Sequence, residues 1–447
     1  MFRKTLSCIV TVVLVALTAA CAGNAAAPQL SAASTPVRGD LTVASTSAFT
    51  DSFGIYHVVG SIQNNTTSVQ SGIELSVTVK DAGGNSLLKD KGATAASLSF
   101  APLLATLAPG ETSPFDFEFN TSGGTPASSA VTVMAYQTGL ANRATLNAAN
   151  VQLVDDGKGT LYLTGNLVNT GAQWVSIHSL AGAVVGGSEN PLSAGTSFVN
   201  AQLLAPTGDS EQRDRTPFVI TLPSPGAGQT DWRVYWDADQ VAAPTDYALG
   251  LNFTNSYFDQ EGTYHIVGYV VNNSSATLAP VLVAGLYAED GTVLDAADSF
   301  NVLAVDAGKT IPFDLSYFGS VNASRDQAAR VRNFTVQADP ARTAPPESQP
   351  VDLNAIGEQR EQDNANWTFT GTVANSSKGA LAGVTVIVTV SDAQGNLVAT
   401  NSTYVLPAGP SIAPGDSVSY KVVVSLDPTV DSTNFQTATL ARGDPGK

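Results

Sequence analysis

Apolar and polar side chains alternate with a period of two along Thr263–Ser275 (TYHIVGYVVNNSS), and the same phrase is written four times in the chain. Its centres are Gly60, Gly165, Gly268 and Gly371, at intervals of 105, 103 and 103 residues. Such a long period marks tandem whole domains rather than the short units of a solenoid. Strand side chains point to opposite faces in turn, so positions sort by counting from the glycine. Four before it stand Tyr56, Leu161, Tyr264 and Trp367; two before it Val58, Leu163, Ile266 and Phe369; two after it Ile62, Leu167, Val270 and Val373. That face is apolar in every copy. The other carries His57, Tyr162, His265 and Thr368, then Val59, Thr164, Val267 and Thr370, then Ser61, Asn166, Tyr269 and Thr372. The pattern predicts an antiparallel strand with the first face on a core and the second mainly on water. The glycine predicts close approach of another backbone or an aromatic ring. The Asn four positions later predicts a polar turn at the strand's end.

The surrounding sequence repeats as well. Ile73, Leu75, Val77 and Val79 alternate with polar residues before the turn-forming segment 81–85, and Val384, Val386, Val388 and Val390 do so before 391–396. The third copy has Leu282, Ala284 and Leu286 before Asp290 and Gly291. Each reads as a strand followed by a hairpin. Later in the repeat, a turn (Pro109, Gly110, Glu111; Pro414, Gly415, Asp416) precedes another alternating strand. Ser113–Phe115, Thr216–Phe218 and Ile311–Phe313 share a Pro-Phe pair, although the second repeat departs at both turns.

These features together resemble the FxLYD domain, found repeated in prokaryotic surface and secreted proteins. The resemblance rests on the aromatic-x-x-x-Gly-x-x-x-Asn strand, the hydrophobic strand ending near a Leu-Tyr-Asp-like turn, and the Pro-Gly-acid turn before a Phe-containing strand. Repeat three, with Leu286 and Tyr287 before Glu289–Gly291, comes nearest. The resemblance implies immunoglobulin- or fibronectin-like sandwiches and no particular activity. The expected fold is thus all-β, four tandem β-sandwich domains at residues 41–140, 141–243 (divergent), 244–340 and 351–447, with a Pro-rich, extended linker at 341–350. Repeats one and three share a further match, Phe49–Phe53 against Phe253–Tyr257, which suggests duplication of a two-domain unit.

Arg3 and Lys4 precede an uncharged, largely apolar run from Leu6 to Ala20, too short to span a bilayer comfortably and suited to a secretory signal. It ends in Leu17–Cys21, which resembles the lipobox of bacterial lipoproteins, with Thr18 where leucine is usual; the resemblance makes residues 1–20 a signal peptide and Cys21 the lipid attachment site. The Ala-, Ser- and Pro-rich stretch to residue 40 reads as a flexible tether. Both cysteines, Cys8 and Cys21, lie in this leader, so the repeats must hold together without disulfides. The formal net charge of −17 argues against nucleic acid or an anionic lipid surface as a partner.

The chemistry-bearing residues are sparse. Of the three histidines, His57 and His265 fall at one position of different repeats, on the face expected to meet water, and His178 lies elsewhere; an exposed strand histidine is the reading for the repeated pair. No Ser-His catalytic motif, zinc motif or phosphate loop occurs. Asp155–Gly157 and Asp237–Asp239 read as solvated acidic turns rather than calcium sites. Trp232, Val234 and Trp236 share a face and read as core. The expectation is a membrane-anchored extracytoplasmic spacer or protein-interaction module with no enzymatic activity, cofactor or metal. The alternative is a polysaccharide- or small-ligand-binding surface lipoprotein, working through exposed aromatics in an interdomain cleft.

Overall fold

The computed structural model describes residues 40–447, apart from 121–123, 188, 198–199, 210–211, 227, 229–230, 245–247, 300–302, 344, 347–348, 364–365, 431 and 446–447. The expected signal peptide, the expected lipid attachment site Cys21 and the expected tether up to residue 39 lie outside the described residues. The repeats belong to one compact unit, Pro36–Lys447.

The fold is all-β, with each repeat forming a sandwich of two antiparallel sheets. One sheet of each sandwich, here called the glycine sheet, is centred on the repeated strand. In the first it comprises Leu41–Thr50, Ile55–Asn64 and Thr112–Asn120. In the second it comprises Leu146–Asp155, Thr160–Asn169 and Arg215–Pro223, and in the third Leu249–Phe258, Tyr264–Asn272 and Thr310–Leu315. The opposite, facing sheets are built around Gln70–Lys80, Trp174–Val185 and Leu282–Tyr287. In the fourth sandwich the long strand Val351–Asp363 pairs with Gln436–Pro445 at its start and with Asn366–Ala374 thereafter, so the two sheets are hydrogen-bonded into one six-stranded path.

The apolar face of each glycine strand is in the core: Val58 and Ile62, Leu161, Leu163 and Leu167, Ile266 and Val270, and Trp367, Phe369 and Val373 are all buried. Full burial of one such side chain stabilises by roughly 1.5–3 kcal/mol. Each central glycine is directly paired with an aromatic residue on the neighbouring strand: Gly60 with Phe115, Gly165 with Phe218, Gly268 with Phe313 and Gly371 with Tyr420. The ring lies over the glycine so closely that a Cβ there would stand 2.5, 2.8, 2.9 and 2.9 Å from it, respectively. A register shift in the first strand of each sandwich occurs opposite this place, between Val43 and Ser45, Ala149 and Gln152, Phe253 and Asn255, and Ile356 and Gln359.

The second face of the strand is largely withdrawn from water in the first three sandwiches, with Tyr162 and Tyr269 partly exposed. There the outer face of each glycine sheet packs on the outer face of the next sandwich's facing sheet. Val59 and Phe49 pack with Ala183, Val185, Ala194 and Tyr235. Thr164 Oγ1 donates to Val293 O at 2.6 Å, and Gly285 lies against Pro217. Val267, Tyr257 and Tyr269 join the core of the fourth sandwich, while Ile387 joins that of the third. The period-two reading assigned these faces to solvent because polar and small residues dominate them. Between two stacked sheets those residues are satisfied by partners across the joint. In the fourth sandwich the equivalent positions Thr370 and Thr372 are exposed.

Candidate functional site

Stacking creates the chemistry that the isolated strand pattern conceals. His57 is 2% exposed and His265 8%, so the expected exposed strand histidines are buried. Each sits where a glycine sheet meets the next sandwich. The aspartates come from two places: the turn before the glycine strand (Asp51, Asp259) and the strand on its other side (Asp116, Asp314). His57 Nδ1 lies 3.0 Å from Asp116 Oδ2 and its Nε2 3.5 Å from Asp51 Oδ2. His265 Nδ1 lies 2.8 Å from Asp314 Oδ2 and its Nε2 3.3 Å from Asp259 Oδ2. Both rings are stacked on an aromatic neighbour, Phe49 at 4.8 Å and Tyr257 at 4.9 Å between centroids. Burial alone would lower both imidazoles. The flanking carboxylates, Asp116 with Glu118 and Asp51 in one case and Asp314 with Asp259 in the other, outweigh it and hold both above their ordinary value. Burial in turn pushes Asp116 and Asp314 up, against the pull of their histidines. Sandwiches two and four carry Tyr162 and Thr368 at this position, so the arrangement alternates along the chain, in keeping with duplication of a two-sandwich unit.

Each cluster borders a cleft at its joint. At the first joint the cleft measures about 320 Å³ and is lined by Asp116, Glu118, Gly195 and Thr221 among others. At the third joint it measures about 740 Å³, between Asp314, Ser316 and Tyr317 on one side and Thr385, Thr400 and Tyr404 on the other. That size suits a small ligand. Tyr317 is 78% exposed and Tyr404 50%. Pro346 and Pro350 of the expected extended linker line this cleft, and Arg342 of the same segment is held by Asp298 and Asp339.

An arginine fastens each joint. Arg143 donates to Glu111 and the carbonyl of Thr106 in the first sandwich, and to Asp237 in the second. Arg342 reaches back to Asn200 O at 2.9 Å. Arg442 donates to Asp352 in its own sandwich at 2.9 Å, and to Asp306 and Ala304 O in the third at 2.5 Å each. Asp237, expected in a solvated acidic turn, is instead a buried strand residue committed to Arg143 and Thr106. The other acidic turn closes on itself: Asp155 and Asp156 accept from Gly157, Lys158 and Thr160 backbone amides. Trp232, Val234 and Trp236 pack, partly buried, against the core of the second sandwich. His178 is half-exposed beside Asp239.

As a metal site, His57, Asp116 and Glu118 offer ligand atoms within 4.8 Å of one another. The sequence hid this set because its members come from two strands about sixty residues apart. The signal available was the alternation of Asp116 and Glu118 on one face of the strand paired with His57.

No family model matches the chain, and no curated protein does. Among solved structures it is similar to a red sea bream transglutaminase, with 14% identity over 43% of this chain and a TM-score of 0.14. It is also similar to E. coli alpha-2-macroglobulin in its native conformation (11% identity, 88% of this chain, TM-score 0.12). A third is Salmonella alpha-2-macroglobulin reacted with methylamine (12%, 91%, 0.12). The chain spans 31, 28 and 29% of those three structures, under a third of each. At such low TM-scores these likenesses add nothing to the architecture seen directly.

Proposed function

We propose that the chain is a lipid-anchored, extracytoplasmic spacer of FxLYD-like sandwiches, non-catalytic, which holds a partner of the cell envelope at a fixed geometry. The observation that carries the reading is the burial of three successive sheet faces between sandwiches, each joint fastened by an arginine. Domains meant only to present their strand faces would leave those faces open. Here they are used to fix each sandwich to the next, and interfaces of this kind remove the hinge freedom expected of domains joined by linkers alone.

The native cysteines lie in the leader, so spin labels can be placed at will on the exposed positions Asn147 and Thr437, through Asn147→Cys and Thr437→Cys. A single narrow distance distribution between the second and fourth sandwiches is expected. A broad one would leave a flexible string of domains and sink the spacer. The anchor has its own test: Cys21→Ser should move the protein from the membrane fraction to the soluble one.

A second reading is supported by the third-joint cleft, whose exposed Tyr317 and Tyr404 suit a polysaccharide or other small ligand. Retention on an immobilised envelope polysaccharide, lost in Tyr317→Ala/Tyr404→Ala, would favour it over the spacer. Equal retention of both forms, or of neither, would count against it.

A further inference from the structure

We propose that His57, Asp116 and Glu118 form a binding site for a divalent transition metal of the zinc type, open to the cleft at the first joint. The inference stands independently of the spacer reading. Zinc takes imidazole nitrogen and carboxylate oxygen at about 2.0–2.2 Å, so tetrahedral donors lie roughly 3.3 Å apart. His57 Nδ1 stands 3.0 Å from the nearer oxygen of Asp116 and 3.9 Å from Glu118 Oε1, spacings that bracket this value. The other ring nitrogen faces a third carboxylate, Asp51. A metal-bound imidazole commonly donates its free N–H to such a group, which fixes the ring and raises its basicity as a ligand. Phe49, stacked on the ring, fixes its plane.

Access and charge point the same way. Asp116 and Glu118 line the first-joint cleft, and Glu118 is 61% exposed, so a metal could enter from solvent and keep water in a fourth position. Three carboxylates surround one imidazole, leaving a negative surplus that a divalent cation would neutralise. On binding, the proton at Nδ1 leaves to solvent, while Nε2 keeps its own proton and directs it at Asp51. The sister cluster at His265 is an internal comparison. It has the aspartate at Nδ1 and the aspartate at Nε2, but Ser316 stands where Glu118 does, so it offers one carboxylate fewer. The site should therefore form in the first sandwich and not in the third.

The test is titration of the full chain, stripped with a chelator, with zinc in competition with a chromophoric chelator. One equivalent per chain is expected, at a Kd of micromolar or tighter. Glu118→Gln changes an exposed side chain, so it should keep the wild-type melting temperature while weakening zinc at least tenfold. Asp51→Asn should weaken it about 10–100-fold, the usual range for an outer-shell partner. Ser316→Glu should raise the stoichiometry to two. No uptake by the wild type, or uptake indifferent to Glu118→Gln, would overturn the site. A stoichiometry of two in the wild type, or of one in Ser316→Glu, would overturn Glu118 as the deciding ligand.

Discussion

Nδ1 of His265 lies 2.8 Å from Oδ2 of Asp314 inside the joint between the third and fourth sandwiches, with Asp259 on the far side of the ring. The folded chain therefore favours the imidazolium, and His265 is held above its ordinary 6.5 despite burial. The stabilisation is fully present below about pH 6.5 and is lost as pH rises through the raised folded value. Asp314 is pushed up by burial, so removing the histidine alone would leave a buried carboxylate to titrate in its place. The variant to use is His265→Gln/Asp314→Asn. In chelator, the wild-type urea midpoint should fall as pH rises above about 6.5, and the double variant should show a shallower fall. An unchanged slope would remove this pair as its source.

The glycine strands differ in what an added methyl group would strike. At Gly60 a Cβ would come within 2.1 Å of the Ser45 carbonyl oxygen, a backbone atom, as well as the Phe115 ring; at Gly371 the nearest atoms all belong to the Tyr420 side chain. A ring can turn aside and a hydrogen-bonded backbone cannot. Gly60→Ala should cost about 3 kcal/mol or more, at or above the top of the usual range for overpacking, and Gly371→Ala about 1–2 kcal/mol, within it. Chemical denaturation of the two variants, compared at equal pH, checks the order. A larger loss for Gly371→Ala would contradict it.

Asn272 donates from Nδ2 to Ala276 O and Val305 O, both at 2.7 Å, and is fully buried. Asn64, Asn169 and Asn375 make the same two bonds in their own sandwiches. Each ties the end of the glycine strand to the segment that crosses between the sheets. Asn272→Ala would remove both bonds, while Val305 O keeps the Leu278 amide and Ala276 O the Ser274 hydroxyl, so the cost is that of two lost hydrogen bonds, about 1–3 kcal/mol at roughly 0.5–1.5 kcal/mol each. Asn272→Asp should cost at least as much, because a carboxylate cannot donate to either carbonyl. Thermal unfolding checks both, and a loss below 1 kcal/mol in Asn272→Ala would refute the stitching role.

What the sequence made legible follows from the range over which its signals act. Val58, Leu163, Ile266 and Phe369 declared their burial because alternation is a local property and the repeat shows it four times. The glycines announced a close neighbour, and Phe115, Phe218, Phe313 and Tyr420 are those neighbours. The same count misplaced His57 and His265, since polarity on one face reads as solvent whether water or another domain covers it. Asn64 and its equivalents read as turn residues because Asn favours turns. Their buried bonds depend on a carbonyl about forty residues away, which no local pattern records. The metal-ligand set suffers likewise: Glu118 differs from Ser316 by one residue in a long repeat, and its meaning appears once the strand is paired with His57.

Arg442 closes the third joint with the same partner geometry that Arg143 uses at the first, but with the charges exchanged. Arg143 precedes the first strand of its sandwich and meets Asp237 on the last; Arg442 is on the last strand and is paired with Asp352 on the first. Their cross-joint acceptors are equivalent, since Thr106 and Ala304 each precede the residue whose carbonyl receives the buried Asn (Leu107 and Val305). Arg442→Met keeps the stem's packing and removes the donors. Asp306 and Asp352 retain contact with water, so the loss should fall near the low end for a broken buried charge pair, about 2 kcal/mol. It should appear in calorimetry as separation of the fourth sandwich's transition from the rest. Arg442→Asp/Asp352→Arg rebuilds the arrangement of the first joint and should recover part of the loss. A swap variant no more stable than Arg442→Asp alone would show that the arginine's place in the strand, and not the bridge, is what the joint requires.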